Sequence, residues 1–224
     1  MTPIAPLETL IDSGPDGGPV LVLLHGRGSD ERDLFPLGRM LHPDATTVSV
    51  RAPFPAAPWG YGPGYAWYRF LGGTTPEAES FEQGQAALGA LIAALPSRLL
   101  RPNPLVILGG FSQGGTSSLA FMMRNPGQVH AVMVFSGFLA DHPSVAVTRE
   151  RVRGTPIFWG HGTADSAVPY AAAESGWQEL SAAGALLEAR TYRGMSHTIS
   201  EEELRDAATW LDRIVPDAST NGAP

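Results

Sequence analysis

Short apolar runs alternate with amphipathic segments along most of the chain, and this alternation limits the possible folds more than any other feature. Each run has the length of one strand and is rich in Val, Ile, Leu and Phe. The six runs are PVLVLLH (19–25), TTVSVR (46–51), PLVILGG (104–110), HAVMVFS (130–136), TPIFWGH (155–161) and ALLEARTYR (185–193). Continuous apolar runs are typical of strands buried on both faces of a parallel sheet.

Helical patterns fill several of the gaps between these runs. The four segments with helical periodicity are 80–95, 113–125, 170–184 and 201–215. Ser200 directly precedes the last segment, and Glu203 lies three residues after Ser200. This spacing predicts a capping box. Strands that alternate with helices predict an α/β sheet with helices on both faces.

Composition limits the class of protein and its partners. With 224 residues, 43% of them hydrophobic, the chain is long enough to bury a core as one domain, residues 1–224. A net charge of -7 without a basic stripe excludes nucleic acid as an expected partner.

No run approaches the roughly 18 apolar residues of a membrane span, and MTPIAPLETLIDSG lacks a basic leader, so we expect a cytoplasmic protein. Without cysteine, thiolate chemistry is excluded, and we expect neither a cofactor nor a metal.

The stretch GGFSQGG (109–115) places one serine among glycines directly after an apolar run. It contains G-x-S-x-G at Gly110, Ser112 and Gly114, where a strand pattern ends and a helical pattern begins. A nucleophile elbow needs this placement, because the glycines leave room for a strained turn that exposes the serine. The alternative is a glycine-rich turn that binds an anionic group through free N–H groups.

A serine nucleophile needs a histidine that takes its proton and an acid that orients the histidine. His197 lies in RGMSHTIS, after the last apolar run and before the final helix, and Asp165 lies in HGTADSAVP, directly after TPIFWGH. Both positions are expected at the sheet edge that carries Ser112. The chain order Ser, Asp, His is that of α/β-hydrolases, although Asp165 could instead be an ordinary turn residue.

Two backbone N–H groups should face the oxyanion that forms during acyl transfer. We expect one from Gln113, directly after the serine, and one from Arg27 in LLHGRGSDERDL, where Gly26 and Gly28 allow close backbone approach. The side chain of Arg27 can still be an ordinary surface arginine. Asp30 is expected to cap a helix that follows this loop.

These motifs together resemble the bacterial phospholipase/carboxylesterase family of α/β-hydrolases, whose relatives include acyl-protein thioesterases. The resemblance rests on LLHGRGSDERDL, RAPFP, AWY (66–68), GGFSQGG, SGFL (136–139), HGTADSAVP and GMSH. It implies a mostly parallel sheet of about seven strands without a cap domain. It also implies that Ser112, Asp165 and His197 form the catalytic triad, and that the amides of Arg27 and Gln113 form the oxyanion hole.

Two departures distinguish the chain from eukaryotic thioesterases. Arg27 stands where those enzymes tend to have an aliphatic residue after HG, and the loop GYAWYRF lacks the acidic residue that they tend to carry after the aromatics. Both departures favour a bacterial carboxylesterase over an enzyme that depalmitoylates proteins.

The substrate is expected to be a small-molecule ester in an open, shallow site. Few residues separate HAVMVFS from TPIFWGH, too few for a helical cap. The side chains expected to line the site are Trp67, Tyr68, Phe70, Phe138, Leu139 and Val168, with Tyr65 and Trp59 as further candidates. Any of these could be a core residue instead. An apolar lining favours short to medium acyl chains on uncharged esters.

Other activities fit the same sequence. An acyl thioesterase, a lysophospholipase or a peptidase would share the acyl-enzyme and differ only in the leaving-group pocket. A ligand-binding receptor on the same scaffold would need no turnover, although every catalytic element is present.

Two segments lack a clear strand or helix pattern. Residues 52–79 concentrate Pro, Gly and aromatic residues in a long loop, which is compatible with a homodimer. The tail 216–224 is expected to be disordered.

Overall fold

The computed structural model describes residues 6–215 and is built around a seven-stranded sheet. The strands are β1 (Thr9–Asp12), β2 (Val20–Leu24), β3 (Thr46–Val50), β4 (Val106–Phe111), β5 (Ala131–Phe135), β6 (Pro156–Gly162) and β7 (Leu186–Tyr192). Their order across the sheet is β1-β3-β2-β4-β5-β6-β7. All neighbouring pairs are parallel except β1 with β3. The predicted α/β fold is therefore confirmed. The tail 216–224, expected to be disordered, lies outside the described residues.

Within residues 6–215, six helices cover the two faces of the sheet. They are α1 (Leu37–Leu41), α2 (Ala78–Arg98), α3 (Gln113–Arg124), α4 (Arg149–Val152), α5 (Tyr170–Ala182) and α6 (Glu201–Ile214). Buried side chains of α2 to α5 pack in one core cluster, and those of α1 and α6 pack in a second. Strand β2 contributes side chains to both clusters: Val20, Val22 and Leu24 pack in the first, and Leu21 and Leu23 pack in the second. This alternation explains why the central strands are apolar at every position.

The helical patterns at 80–95 and 201–215 form helices close to their predicted bounds. In α2 the predicted apolar stripe is buried against the first core cluster, and its members are Phe81, Leu88, Leu91, Ile92 and Leu95. In α6 the hydroxyl of Ser200 accepts a hydrogen bond from the Glu203 N–H at 3.1 Å, as a capping box requires. The carboxyl group of Glu203 is buried and makes no hydrogen bond to a described residue, so only half of the predicted box forms.

The loop after β2 differs from the prediction. No helix begins at Asp30, because α1 starts at Leu37 and has Pro36 at its N-cap position. The Asp30 carboxylate instead accepts a hydrogen bond from the Arg32 N–H at 2.8 Å and stabilises a turn. The expectation that Asp30 caps a helix was wrong. Its short side chain accepts a hydrogen bond from the N–H group two residues ahead, which stabilises a turn and not a helix start.

The aromatic loop 52–79 is more ordered than its composition indicates. Two short antiparallel ribbons pair Phe54–Pro55 with Tyr65–Ala66 and Phe70–Gly72 with Thr75–Pro76. The Tyr65 backbone also bonds the loop after β2, accepting from the Gly28 N–H at 2.8 Å and donating to the Ser29 carbonyl at 2.7 Å. These bonds hold the aromatic loop beside the carboxyl ends of the parallel strands.

The connection between β5 and β6 carries no cap domain. Its helical structure consists of a 3-10 turn at Pro143–Val145 and the single turn α4. This connection therefore places no helical cap over the carboxyl ends of the central strands. None of the described helices is long and apolar enough to cross a membrane.

Candidate active site

Ser112 occupies a strained turn between β4 and α3. Its backbone has φ 53° and ψ -116°, in a region that residues other than glycine rarely adopt. The Ser112 N–H donates to the Phe135 carbonyl at 2.8 Å, which fixes the turn to the neighbouring strand. Such backbone strain costs on the order of 1–3 kcal/mol and is concentrated at functional sites. The turn has the geometry of the nucleophile elbow predicted from GGFSQGG.

Gly110 and Gly114 make this turn sterically feasible. A Cβ atom on Gly110 would lie 2.5 Å from the backbone of Gly114, and one on Gly114 would overlap the Leu24 carbonyl oxygen. The glycines therefore leave the room that the predicted turn needs, and they also let the backbone of α3 pack directly on β2 and β4.

Ser112, His197 and Asp165 form a continuous hydrogen-bonded chain. His197 Nε2 lies 2.9 Å from Ser112 Oγ, and His197 Nδ1 lies 2.7 Å from Asp165 Oδ2. The carboxylate is an acceptor, so the short Nδ1 contact places a hydrogen on Nδ1 and leaves Nε2 free to accept from the serine. The Phe111 ring packs beside the imidazole, with 4.7 Å between the ring centroids. The structure thus brings the three predicted side chains together.

The acid is held in place by its own loop. Asp165 Oδ1 accepts hydrogen bonds from the N–H groups of Ala167 and Val168 at 2.9 and 2.8 Å. These bonds leave Oδ2 for His197. These bonds hold the buried carboxylate in place, so Oδ2 keeps its contact with His197 Nδ1 without rearrangement.

His161 supports the acid loop in a way that the sequence did not reveal. It is fully buried, and its Nε2 lies 2.9 Å from the Val168 carbonyl and 3.4 Å from Asp165 Oδ2. Burial lowers the pKa of His161, so the ring is neutral and presents Nε2–H to both oxygens. The only sequence signal for this contact was the spacing H-x-x-x-D in HGTAD, which places His161 four residues before Asp165.

The backbone N–H groups of Gln113 and Arg27 lie in different elements beside Ser112. Gln113 opens α3, where N–H groups have no intrahelical acceptor, and Arg27 follows the end of β2. Within residues 6–215 neither N–H group has a hydrogen-bond acceptor. Both residues also line the cavity that contains Ser112. An oxyanion hole requires two free donors of this kind, and the assignment of Arg27 and Gln113 to it stays a prediction.

The Gln113 side chain ties the aromatic loop to the nucleophile elbow. Its Oε1 accepts from the Trp67 N–H, and its Nε2 donates to the Tyr68 carbonyl, both at 2.8 Å. Trp67 Nε1 in turn donates to the His25 carbonyl at 2.9 Å, one residue before Gly26. These bonds clamp together the elbow, the aromatic loop and the loop after β2, and motif spacing did not predict this role of the Gln113 side chain.

A cavity of about 200 Å³ opens beside Ser112 and His197. Four of the residues predicted to bind substrate line it, namely Tyr68, Phe70, Phe138 and Val168. Its other lining residues are mostly small or apolar: Gly26, Gly73, Phe111, Ala167, Pro169 and Ala172. Burial raises the pKa of Tyr68, so its hydroxyl group stays neutral.

Trp67 and Leu139 do not line this cavity. The Trp67 side chain is buried in the first core cluster, where it makes the bond to the His25 carbonyl. Leu139 packs against the same core cluster and faces a separate depression near Asp141. These two residues are corrections to the predicted lining, because the bond to His25 holds Trp67 in the core and Leu139 packs beside Gly176 of α5. Tyr65 and Trp59 also lie outside the residues that line the cavity.

The sheet order, the elbow after β4 and the triad order together define an α/β-hydrolase. The phospholipase/carboxylesterase family model matches residues 10–215, and the chain belongs to that family.

Similar proteins carry esterase and thioesterase names. A probable carboxylesterase of Oryza sativa is 39% identical over 49% of this chain and 42% of its own length. Acyl-protein thioesterase 1 of Cryptococcus neoformans is 27% identical over 85% of this chain and 90% of its own. The crystal structure of esterase PE8 superposes with a TM-score of 0.78 at 28% identity, covering 94% of this chain and all of that one. The chain spans less than half the length of the first curated relatives that it matches. The relatives include plant and fungal proteins, so family membership does not establish a bacterial branch.

Proposed function

We propose that this protein is a carboxylesterase that cleaves small-molecule carboxylic esters through an acyl-enzyme on Ser112. The observation that carries the proposal is the chain of contacts from Ser112 Oγ to His197 Nε2 at 2.9 Å and from His197 Nδ1 to Asp165 at 2.7 Å. Because the imidazole already faces the hydroxyl group, it can accept the serine proton without rearrangement.

The proposed cycle has two acyl-transfer steps. Ser112 Oγ attacks the ester carbonyl while its proton moves to His197 Nε2, and the negative oxygen that forms accepts hydrogen bonds from the Arg27 and Gln113 N–H groups. His197 then donates the proton to the leaving alkoxide. Water, deprotonated by the same nitrogen, attacks the acyl-enzyme and releases the acid. Asp165 keeps Nδ1 protonated throughout and stabilises the imidazolium.

The cavity supports short to medium acyl chains. A volume of about 200 Å³ accommodates a few carbon atoms beyond the reacting carbonyl, and Phe70, Phe138 and Val168 supply apolar contacts. We place the chain with bacterial carboxylesterases because Arg27 follows HG, where an aliphatic residue is expected in eukaryotic thioesterases.

A thioesterase is the second candidate, supported by the fungal relative named an acyl-protein thioesterase, which the chain matches over most of its length. Comparing kcat/KM for p-nitrophenyl butyrate and butyryl-CoA separates the two activities. Turnover of the thioester far above that of the ester would overturn the carboxylesterase assignment while leaving the nucleophile unchanged. A lysophospholipase is tested in the same series with lysophosphatidylcholine.

Fluorophosphonate labelling tests the nucleophile itself. The reagent should form an adduct on Ser112, and Ser112→Ala should lose both the adduct and the hydrolysis of p-nitrophenyl butyrate. Ser175→Ala changes an exposed serine on α5 and is the matched control, which should retain both. Absence of an adduct on folded wild-type protein, or full activity in Ser112→Ala, would refute the proposal.

A further inference from the structure

The guanidinium group of Arg27 lies at the mouth of the Ser112 cavity. Arg27 is exposed, and it is one of the residues that line the cavity. Its Cζ atom is 4.6 Å from the centroid of the Tyr61 ring and 5.6 Å from that of the Phe70 ring. The side chain is thus held over two aromatic faces beside the reacting groups.

The Tyr61 side chain is fixed to the backbone of Phe70. The Phe70 N–H donates to the Tyr61 hydroxyl oxygen at 2.8 Å, and the Tyr61 hydroxyl group lies 3.2 Å from the Phe70 carbonyl. A cation held by ring faces keeps its N–H groups free for other acceptors. The aromatic platform therefore orients the guanidinium group without using its hydrogen-bond donors.

Arg27 also lacks a carboxylate partner within residues 6–215, where none lies within salt-bridge distance of it. Arg51 provides a contrast, because it stacks on Tyr65 at 4.7 Å but forms ion pairs with Glu31 at 2.6 Å and Glu8 at 2.5 Å. The residues that line the cavity include no Asp or Glu. The mouth of the cavity thus presents an oriented positive charge without a counter-charge from its own lining.

We propose that Arg27 is a specificity-determining residue that binds a carboxylate group on the substrate, so that the preferred substrates are anionic esters. The planar guanidinium fork matches a carboxylate with two parallel hydrogen bonds. In the proposed mechanism the Arg27 N–H group binds the oxyanion, so the side chain of the same residue reaches a carboxylate only a few bonds from the scissile ester. This inference rests on the proposed esterase activity, and it replaces the expectation of uncharged esters drawn from the apolar lining.

Two substrate pairs test the proposal and locate the carboxylate. In the first pair, p-nitrophenyl butyrate is compared with the mono-p-nitrophenyl ester of glutaric acid, which carries the charge on the acyl group. In the second, phenyl butyrate is compared with 3-carboxyphenyl butyrate, which carries it on the leaving group. The readout is the ratio of kcat/KM for the anionic ester to that for the neutral ester, after subtraction of the uncatalysed rate. The ratio cancels any effect of a substitution on the oxyanion hole.

Arg27→Gln should lower this ratio about ten-fold in at least one pair, because a charge-assisted hydrogen bond is lost. Arg27→Lys should lower it less. Added NaCl should reduce the wild-type ratio but not that of Arg27→Gln. Arg32→Gln is the matched control, since Arg32 lies in the same loop, outside the cavity lining, and pairs with Asp30. Its ratio should equal that of the wild type.

Equal ratios in wild type and Arg27→Gln for both pairs, with neutral esters still hydrolysed, would overturn this inference and leave the proposed function standing. If wild-type protein hydrolyses none of the four esters, the proposed function fails and the inference fails with it.

Discussion

The buried carboxyl group of Glu203 makes a specific prediction about stability and pH. Glu203 is fully buried, neither carboxyl oxygen has a hydrogen-bond partner in residues 6–215, and Oε1 packs against the Gly160 backbone of β6. Burial raises the pKa of this group from 4.5 to about 8; the nearby Ser200 N–H opposes the rise and Asp206 adds to it. The folded protein therefore favours the protonated, neutral form.

The sign and size of the effect follow from proton linkage. The folded state binds a proton that the unfolded state releases between pH 4.5 and pH 8, so the free energy of unfolding falls as pH rises through this range. From pH 5 to pH 8 the loss attributable to Glu203 is about 3 kcal/mol, taking about 1.4 kcal/mol for each unit between the two pKa values. Glu203→Gln has nearly the same shape and no charge to release, so it removes this loss.

Urea denaturation followed by tryptophan fluorescence measures the difference. We expect the free energy of unfolding of Glu203→Gln, relative to wild type, to increase by about 3 kcal/mol between pH 5 and pH 8. Other titrating groups are common to both proteins and cancel. Glu202→Gln changes an exposed carboxyl group in the same helical turn, and its offset from wild type should stay constant. A constant offset for Glu203→Gln as well would show that Glu203 does not ionise as its burial implies.

Three further substitutions probe the site. Asp165→Asn should lower kcat for p-nitrophenyl butyrate by about 10³–10⁴-fold with an unchanged circular dichroism spectrum, since the amide cannot hold Nδ1 protonated; kcat within ten-fold of wild type would mean that another group orients the histidine. Gly114→Ala should give little folded or active protein on expression, because its Cβ overlaps the Leu24 carbonyl oxygen; native stability would contradict the packing of α3. Gln113→Ala retains the backbone donor but should reduce the free energy of unfolding by about 1–3 kcal/mol, since it leaves the Trp67 N–H and the Tyr68 carbonyl unpaired; unchanged stability would show that the clamp is dispensable.

The central strands and the triad could be predicted because local patterns determine them. Six strands of the sheet correspond to apolar runs in the sequence, and Ser112, Asp165 and His197 each follow the end of a strand. In a mostly parallel sheet, residues at the carboxyl ends of strands meet at one edge, so chain position alone places them together. Strand β1 was missed because it is a short, partly exposed edge strand of four residues, TLID.

Side-chain direction was much harder to predict than backbone position. Trp67 lies in an aromatic loop and was therefore expected to line the pocket, but its indole N–H donates to the His25 carbonyl inside the core. Glu203 lies three residues after Ser200, as in a capping box at the surface, but its side chain is buried against Gly160 of β6 and does not cap the helix. Both depend on contacts between residues far apart in the chain, which motif spacing does not report. The homodimer and the cytoplasmic location stay predictions.

Trapping the acyl-enzyme tests the central claim most directly. Wild-type protein is mixed with excess p-nitrophenyl butyrate, quenched with acid within milliseconds, digested and analysed by peptide mass spectrometry. We predict a butyryl group on the peptide that contains GGFSQGG, localised to Ser112 by fragmentation, together with a burst of p-nitrophenol close to one equivalent. Steady turnover with a butyryl group on a different residue would contradict the assignment of Ser112 as the nucleophile.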